Sequence, residues 1–119
     1  MAWTIEVEAR AERDLEIAYV HAFRAALSLG ESDSSAARAA RKRIEKTIAA
    51  ADRLARAPFV GTLHSDIAPG LRHVTLDRAI FWFTSDDATQ TVRIVGIFHG
   101  GQDHLGRMLS RLTGEGEAG

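Results

Sequence analysis

Cysteine is absent from the 119 residues, which excludes disulfides, cysteine-based zinc centres and thiol nucleophiles and fits a reducing cytoplasm. Lysine is sparse, with none after Lys46, and the one tyrosine is Tyr19. No stretch approaches the roughly 18 consecutive apolar residues of a membrane span. The opening MAWTIEVEAR lacks the basic segment and apolar run of an export signal. No Gly-rich loop follows a strand and no GxSxG elbow occurs, so ATPase, dehydrogenase and serine hydrolase chemistry fall away.

What remains is an ordinary soluble composition, 45% hydrophobic and 26% charged. The length suits one domain over residues 1–112, with the closing TGEGEAG, residues 113–119, expected as a disordered tail. The net charge of -1 argues against coating nucleic acid by bulk electrostatics. The charge is unevenly spread, however. Residues 1–33 carry three arginines against seven acids, whereas residues 38–56 carry seven Arg or Lys against two acids.

Periodicity predicts the elements. WTIEVEA alternates apolar and polar residues, as a strand with one wet face does. From Ala11 the spacing becomes helical, with Leu15, Ala18, Ala22, Ala26 and Leu29 on one stripe, and Gly30 ends it. A second helix is expected from a cap at Ser34 or Ser35 to about Ala57, where Pro58 stops it. Its inner stripe reads Ala37, Ala40, Ile44, Ile48, Ala51 and Leu54 or Ala55. Small side chains on these stripes suit an antiparallel helical hairpin. A loop over residues 58–70 precedes three strands, LRHVTLD, AIFWFTS and TVRIVGIF, the middle one apolar on both faces as a covered central strand is. DHLGRMLSRL then gives a short helix. The fold class is α+β, with an N-terminal strand, a helical hairpin, a three-stranded antiparallel block and a short C-terminal helix.

Candidate chemistry rests on few residues. The five histidines show no HExxH or other compact metal spacing, so neither a metal site nor a cofactor is expected. His99 ends a strand before a glycine pair and Asp103. It is either a general acid or base near neutrality or a structural residue closing the turn. Arg72, Arg78 and Arg93 flank or lie within strands, where arginine can grip phosphate or an acidic peptide. RAARKRIEK places Arg38, Arg41, Lys42 and Lys46 on the outer faces of the second helix, either a solvated surface or a contact surface for an acidic partner or nucleic acid.

The order of these features resembles a known family. Residues Pro69 to Asp103, PGLRHVTLDRAIFWFTSDDATQTVRIVGIFHGGQD, are similar to the C-terminal half of the RelE/ParE superfamily of type II toxin–antitoxin toxins, most like the ParE branch of plasmid stabilisation proteins. A G-x-R start falls on Gly70 and Arg72, and an arginine opening the next strand falls on Arg78. The aromatic strand is AIFWF, the I-x-x-I-x-H ending is IVGIFH, and the G-x-x-D turn is GGQD. The preceding hairpin matches as well, so the resemblance covers about residues 3–112.

That resemblance implies a cytoplasmic bacterial toxin in a hetero-oligomer with a cognate ParD-like antitoxin, whose C-terminal segment folds onto the toxin's helices and sheet. Arg38, Arg41, Lys42, Arg72 and Arg78 become the antitoxin- or target-binding residues. ParE-like members poison DNA gyrase, whereas RelE-like members cut mRNA on the ribosome by metal-free transesterification, using basic groups and commonly a C-terminal tyrosine or histidine. This sequence departs from the second pattern, because Tyr19 lies in the first helix and lysines are missing from the C-terminal half. Gyrase inhibition without catalysis is the expected activity. The alternative is a RelE-like endoribonuclease built on His99, Arg72 and Arg93. A member that has lost toxicity and persists as a partner-binding module is a third possibility.

Overall fold

The computed structural model describes residues 2–100 and 103–114. Gly101 and Gln102 of the expected turn, and residues 115–119 of the expected tail, lie outside the described residues. The elements run β1 (Thr4–Val7), α1 (Ala9–Ser28), α2 (Asp33–Ala51), a 3-10 turn (Asp52–Ala55), β2 (Thr62–Leu63), β3 (Arg72–Leu76), β4 (Ala79–Asp86), β5 (Thr91–His99) and α3 (His104–Thr113). One five-stranded sheet has the order β1-β5-β4-β3-β2. β1 pairs with β5 in parallel, and β2, β3, β4 and β5 pair antiparallel in turn. No described helix is long and apolar enough to cross a membrane.

β4 is the middle strand, and its sequence explains why. Ala79, Phe81 and Phe83 face the helical hairpin, joining Val92, Ile94, Ile97, Ala11, Ala50 and Leu54 in one apolar cluster. Ile80 and Trp82 face the other way, packing with Leu71, Phe98 and Met108 of α3. Both faces are thus removed from water, and each large side chain buried there contributes about 1.5–3 kcal/mol. The sheet has layers on both sides, the hairpin on one and α3 on the other.

Alanine sets the spacing within the hairpin. Ala11, Ala36 and Ala40 are all fully buried, so the helix axes approach closely where larger residues would hold them apart. α1 ends as expected, with Gly30 at φ 91°, the left-handed conformation that glycine adopts without steric cost. α2 departs from expectation at both ends. Its cap is Ser32, whose hydroxyl accepts the Ser35 N–H at 3.2 Å, so the helix begins before either predicted cap. It becomes a tighter 3-10 turn at Asp52 rather than continuing to Ala57.

The expected inner stripe of α2 is buried at Ala40, Ala51 and Leu54 but differs elsewhere. Ala36, Ala40, Thr47, Ala50 and Ala51 are the buried positions, whereas Ile48 is 51% exposed. Leu29, expected at the end of the α1 stripe, is 85% exposed because the chain is already turning away at Gly30. Within the expected loop, Thr62 and Leu63 pair with His73 and Arg72 to form β2, too short for alternation to reveal.

Candidate functional site

β5 outruns its parallel neighbour. Pairing with β1 stops at Val7 and Ile94, yet β5 continues to His99. The register of β4 against β5 shifts at this point, with Phe83 opposite Ile94 but Trp82 opposite Gly96. Val95 is therefore the extra residue of a bulge, which re-aims the backbone beyond it. The bare edge is closed by side chains. Asp14 of α1 accepts the Ile97 N–H through Oδ2 at 2.9 Å, and Nη1 of Arg111 donates to the Val95 carbonyl at 3.0 Å. The two side chains are joined to each other by Nη1 to Oδ2 and Nη2 to Oδ1, both at 2.9 Å. This fork holds α1, β5 and α3 together.

Beyond the fork lies a groove of about 960 Å³ between the hairpin and the far end of the sheet. Its walls are largely apolar, from Ile17, Ala18 and Ala22 of α1 to Ile80 and Phe98 of the sheet. Three guanidinium groups line it from three elements, Arg43 of α2, Arg78 at the β3–β4 turn and Arg107 of α3. Asp14 is the carboxylate in this lining, and it is already engaged by Arg111 and the Ile97 N–H. Arg43 and Arg78 have no ion pair among the described residues. The groove therefore combines hydrophobic walls with the positive charge of Arg43 and Arg78.

Arg78 is presented at a conformational cost. Leu76 and Ala79 pair across a two-residue turn, and Asp77 and Arg78 have φ of 48° and 69°. A turn with both central residues at positive φ favours glycine at its second position. Arginine stands there instead.

His99 sits on the groove wall, half-buried, with Nε2 3.0 Å from the Thr47 hydroxyl. That hydroxyl also lies 3.1 Å from the Arg43 carbonyl one turn back and donates to it. It must then accept from His99, which fixes the proton on Nε2 and leaves the Nδ1 lone pair unprotonated. Burial, and then the Arg43 guanidinium, push His99 below the ordinary histidine value, with Asp14 opposing them. The ring is neutral near pH 7.

The other residues singled out by sequence are dispersed. Arg72 donates through Nη1 to the Phe59 carbonyl at 2.8 Å and stacks 5.5 Å over the Phe59 ring. It lies in register with Phe83 and, through it, Ile94, about 16 Å along the sheet from His99 at the usual strand rise. Arg93 is farther still, about 20 Å by the same measure, and forms an exposed pair with Glu6 at 3.7 Å. Arg38, Arg41 and Lys42 are exposed on α2 and do not line the groove. Of the arginines singled out by sequence, only Arg78 shares the groove with His99. Among the described residues no group of three or more metal-ligating side chains could hold an ion.

No protein-family model and no curated protein matches the sequence. Solved structures do. A chain of the RelBE2 toxin–antitoxin complex from Mycobacterium tuberculosis superposes with a TM-score of 0.59 at 18% identity, covering 84% of this chain and 100% of that one. The chromosomal ParDE TA system from P. aeruginosa gives 0.62 at 18% identity, over 84% and 98% of the two chains. A free-state mutant of the E. coli toxin RelE gives 0.51 at 9% identity, over 94% and 98%. The chain has the RelE/ParE fold.

Within this RelE/ParE fold, sequence reasoning missed Asp14, Arg43, Arg107 and Arg111. Asp14 had a signal, since an acid between Ala11 and Ala18 on an inward stripe requires a buried partner. Arg43 had a weaker one, lying one helical turn before Thr47 on the inner side of α2. Arg107 and Arg111 had none, because only the packing of α3 on β5 decides what they reach.

Proposed function

We propose that this chain is the toxin component of a type II toxin–antitoxin module, kept inactive by a small antitoxin and acting in the cytoplasm as an inhibitor of DNA gyrase. The observation that carries the antitoxin part is the groove of about 960 Å³ with Arg43, Arg78 and Arg107 on largely apolar walls. An amphipathic segment fits that chemistry, its apolar side chains against Ile17, Ile80 and Phe98 and its acidic ones against the guanidinium groups. The ParD-like partner suggested by the sequence resemblance supplies such a segment by folding on binding.

Inhibition rather than catalysis is supported by the dispersal of the expected nuclease set. Arg72 and Arg93 are tied to Phe59 and Glu6, and the Nε2 proton of His99 is committed to Thr47. A residue acting on RNA must come within about 3 Å of the reacting atoms, and these three cannot converge. Induced expression of the chain should arrest growth, and co-expression of a short neighbouring gene should restore it. Purified chain should block gyrase supercoiling.

One observation favours a second reading. His99 has an unprotonated Nδ1 and shares the groove with Arg43, Arg78 and Arg107, which is an arrangement that could accept a proton beside a phosphate. Ribosome-dependent cuts in mRNA, mapped by primer extension and lost in His99→Ala, would establish this ribonuclease reading against the first.

A further inference from the structure

Three histidines, His64 just after β2, His73 of β3 and His104 of α3, meet on the face of the sheet away from the helical hairpin. At their centre is Trp82, wholly buried. Its indole N–H, a donor with no accepting capacity, points to Nδ1 of His104 at the start of α3, 3.1 Å away. The rings of His64 and His73 each lie 4.9 Å from the Trp82 ring. His64 Nε2 and His73 Nδ1 are 2.6 Å apart, close enough that one proton serves both. His104 closes the group, with its ring centroid 5.0 Å from that of His73.

The indole contact works only with a neutral His104. An imidazole accepts through a nitrogen that carries no proton, and the protonated ring is a donor at both. Adding a proton to His104 therefore sets N–H against N–H over a buried indole, losing a hydrogen bond and leaving a buried donor unsatisfied. A second proton on the His64–His73 pair sets two cations against each other in the same way. His73 is already held below the usual histidine value by burial, then by His64 and His104. The surrounding charges do not favour protonation. α3 brings Arg107 and Arg111 over the neighbouring Phe98 ring at 5.4 and 5.2 Å, and β4 packs apolar Ile80 and Trp82 into the cluster, with Thr84 and exposed Asp86 farther along the same strand face. The acids nearby in sequence are exposed Asp66, in the loop before β3, and Asp103, which caps α3 by accepting the Gly106 N–H.

The far end of α3 is held differently. Arg111 is anchored by its fork to Asp14, which does not depend on a histidine. Between the two anchors, Met108 sits against Gly96, where an added Cβ would lie 2.5 Å from its Cε.

We propose that the His64–His73–Trp82–His104 cluster is an acid-sensitive latch on α3, which when protonated frees the first turns of the helix while the Asp14–Arg111 fork keeps its last turn attached. Acidification then uncovers the Trp82 and Phe98 face of the sheet without unfolding the hairpin side.

The test is an NMR titration of the full chain, uniformly labelled with nitrogen-15, from about pH 7.5 to about pH 5, across the range in which histidine titrates. The Trp82 indole N–H, assigned with Trp3→Phe, should lose its protection from solvent exchange, while the Ile97 amide beside Asp14 stays protected. In His104→Asn the side-chain amide oxygen can accept the indole N–H but does not titrate, so protection should persist to low pH. Retention of Trp82 protection in the unsubstituted chain would overturn the proposal. So would an unchanged transition in His104→Asn, or simultaneous loss of the Ile97 and Trp82 signals, which would mark ordinary acid unfolding.

Discussion

Asp14 and Arg111, 97 residues apart in sequence, complete the edge of β5 that β1 leaves open. The carboxylate takes a strand N–H and the guanidinium takes a strand carbonyl, so the pair replaces a missing strand at that point. Both side chains are largely withdrawn from solvent, at 7% and 15% exposure. Removing one partner strands a buried charge, so Asp14→Ala should cost about 3–5 kcal/mol. Urea denaturation checks this, and the double change with Arg111→Leu should cost much less than the sum of the single changes.

Arg78 should separate stability from binding. Its left-handed conformation, φ 69°, is one that costs a side-chain-bearing residue about 1–2 kcal/mol. Arg78→Gly should therefore stabilise the chain modestly, by up to about 1 kcal/mol once glycine's greater unfolded-state entropy is counted. The same substitution should weaken capture of the proposed antitoxin, because it removes one cation from the groove. Thermal melts and calorimetric titration with the co-expressed partner read the two effects independently.

Stability should fall on mild acidification. His73 and His99 both have native values lowered below the ordinary 6.5. As pH drops from that value, the unfolded chain takes up protons that the native chain excludes. Their contribution is thus fully present above about pH 6.5 and is lost as pH falls through the lowered native values. Urea midpoints between about pH 8 and about pH 5.5 should decline towards acid, and His99→Gln should flatten part of the slope.

Gly96 should accept a methyl group only if the buried Met108 side chain moves aside. An added Cβ would lie 2.5 Å from Met108 Cε and 3.2 Å from Phe98 Cε2. Gly96→Ala should destabilise by about 1–3 kcal/mol, as overpacking does. Shortening Met108 in the same chain should recover part of that loss, measured by chemical denaturation.

The element order was readable because the period changes where the structure does. WTIEVEA alternates, the Ala-rich stripes step by three and four, and AIFWF has no polar face because it is covered on both. Individual helix ends were less legible. Ser32, Ser34 and Ser35 can each cap, and only the backbone angles at Ser32 decide among them. The site was legible at His99 and Arg78, which sit at a strand end and a strand start where motifs show. It was not legible where it depends on register. The bulge at Val95 and the early end of β1 create the open edge, and no local pattern signals either one. Arg72 and Arg93 look like partners for His99 in a list of strand residues, yet the sheet holds them at its other end.

The reading as a gyrase-directed toxin stands or falls on purified chain added to a supercoiling reaction. Supercoiling should be lost with increasing chain, mRNA should remain intact in a parallel translation reaction, and His99→Ala should inhibit gyrase as well as the unsubstituted chain. Full gyrase activity at excess chain, with translation halted and mRNA cut in a manner abolished by His99→Ala, would contradict it.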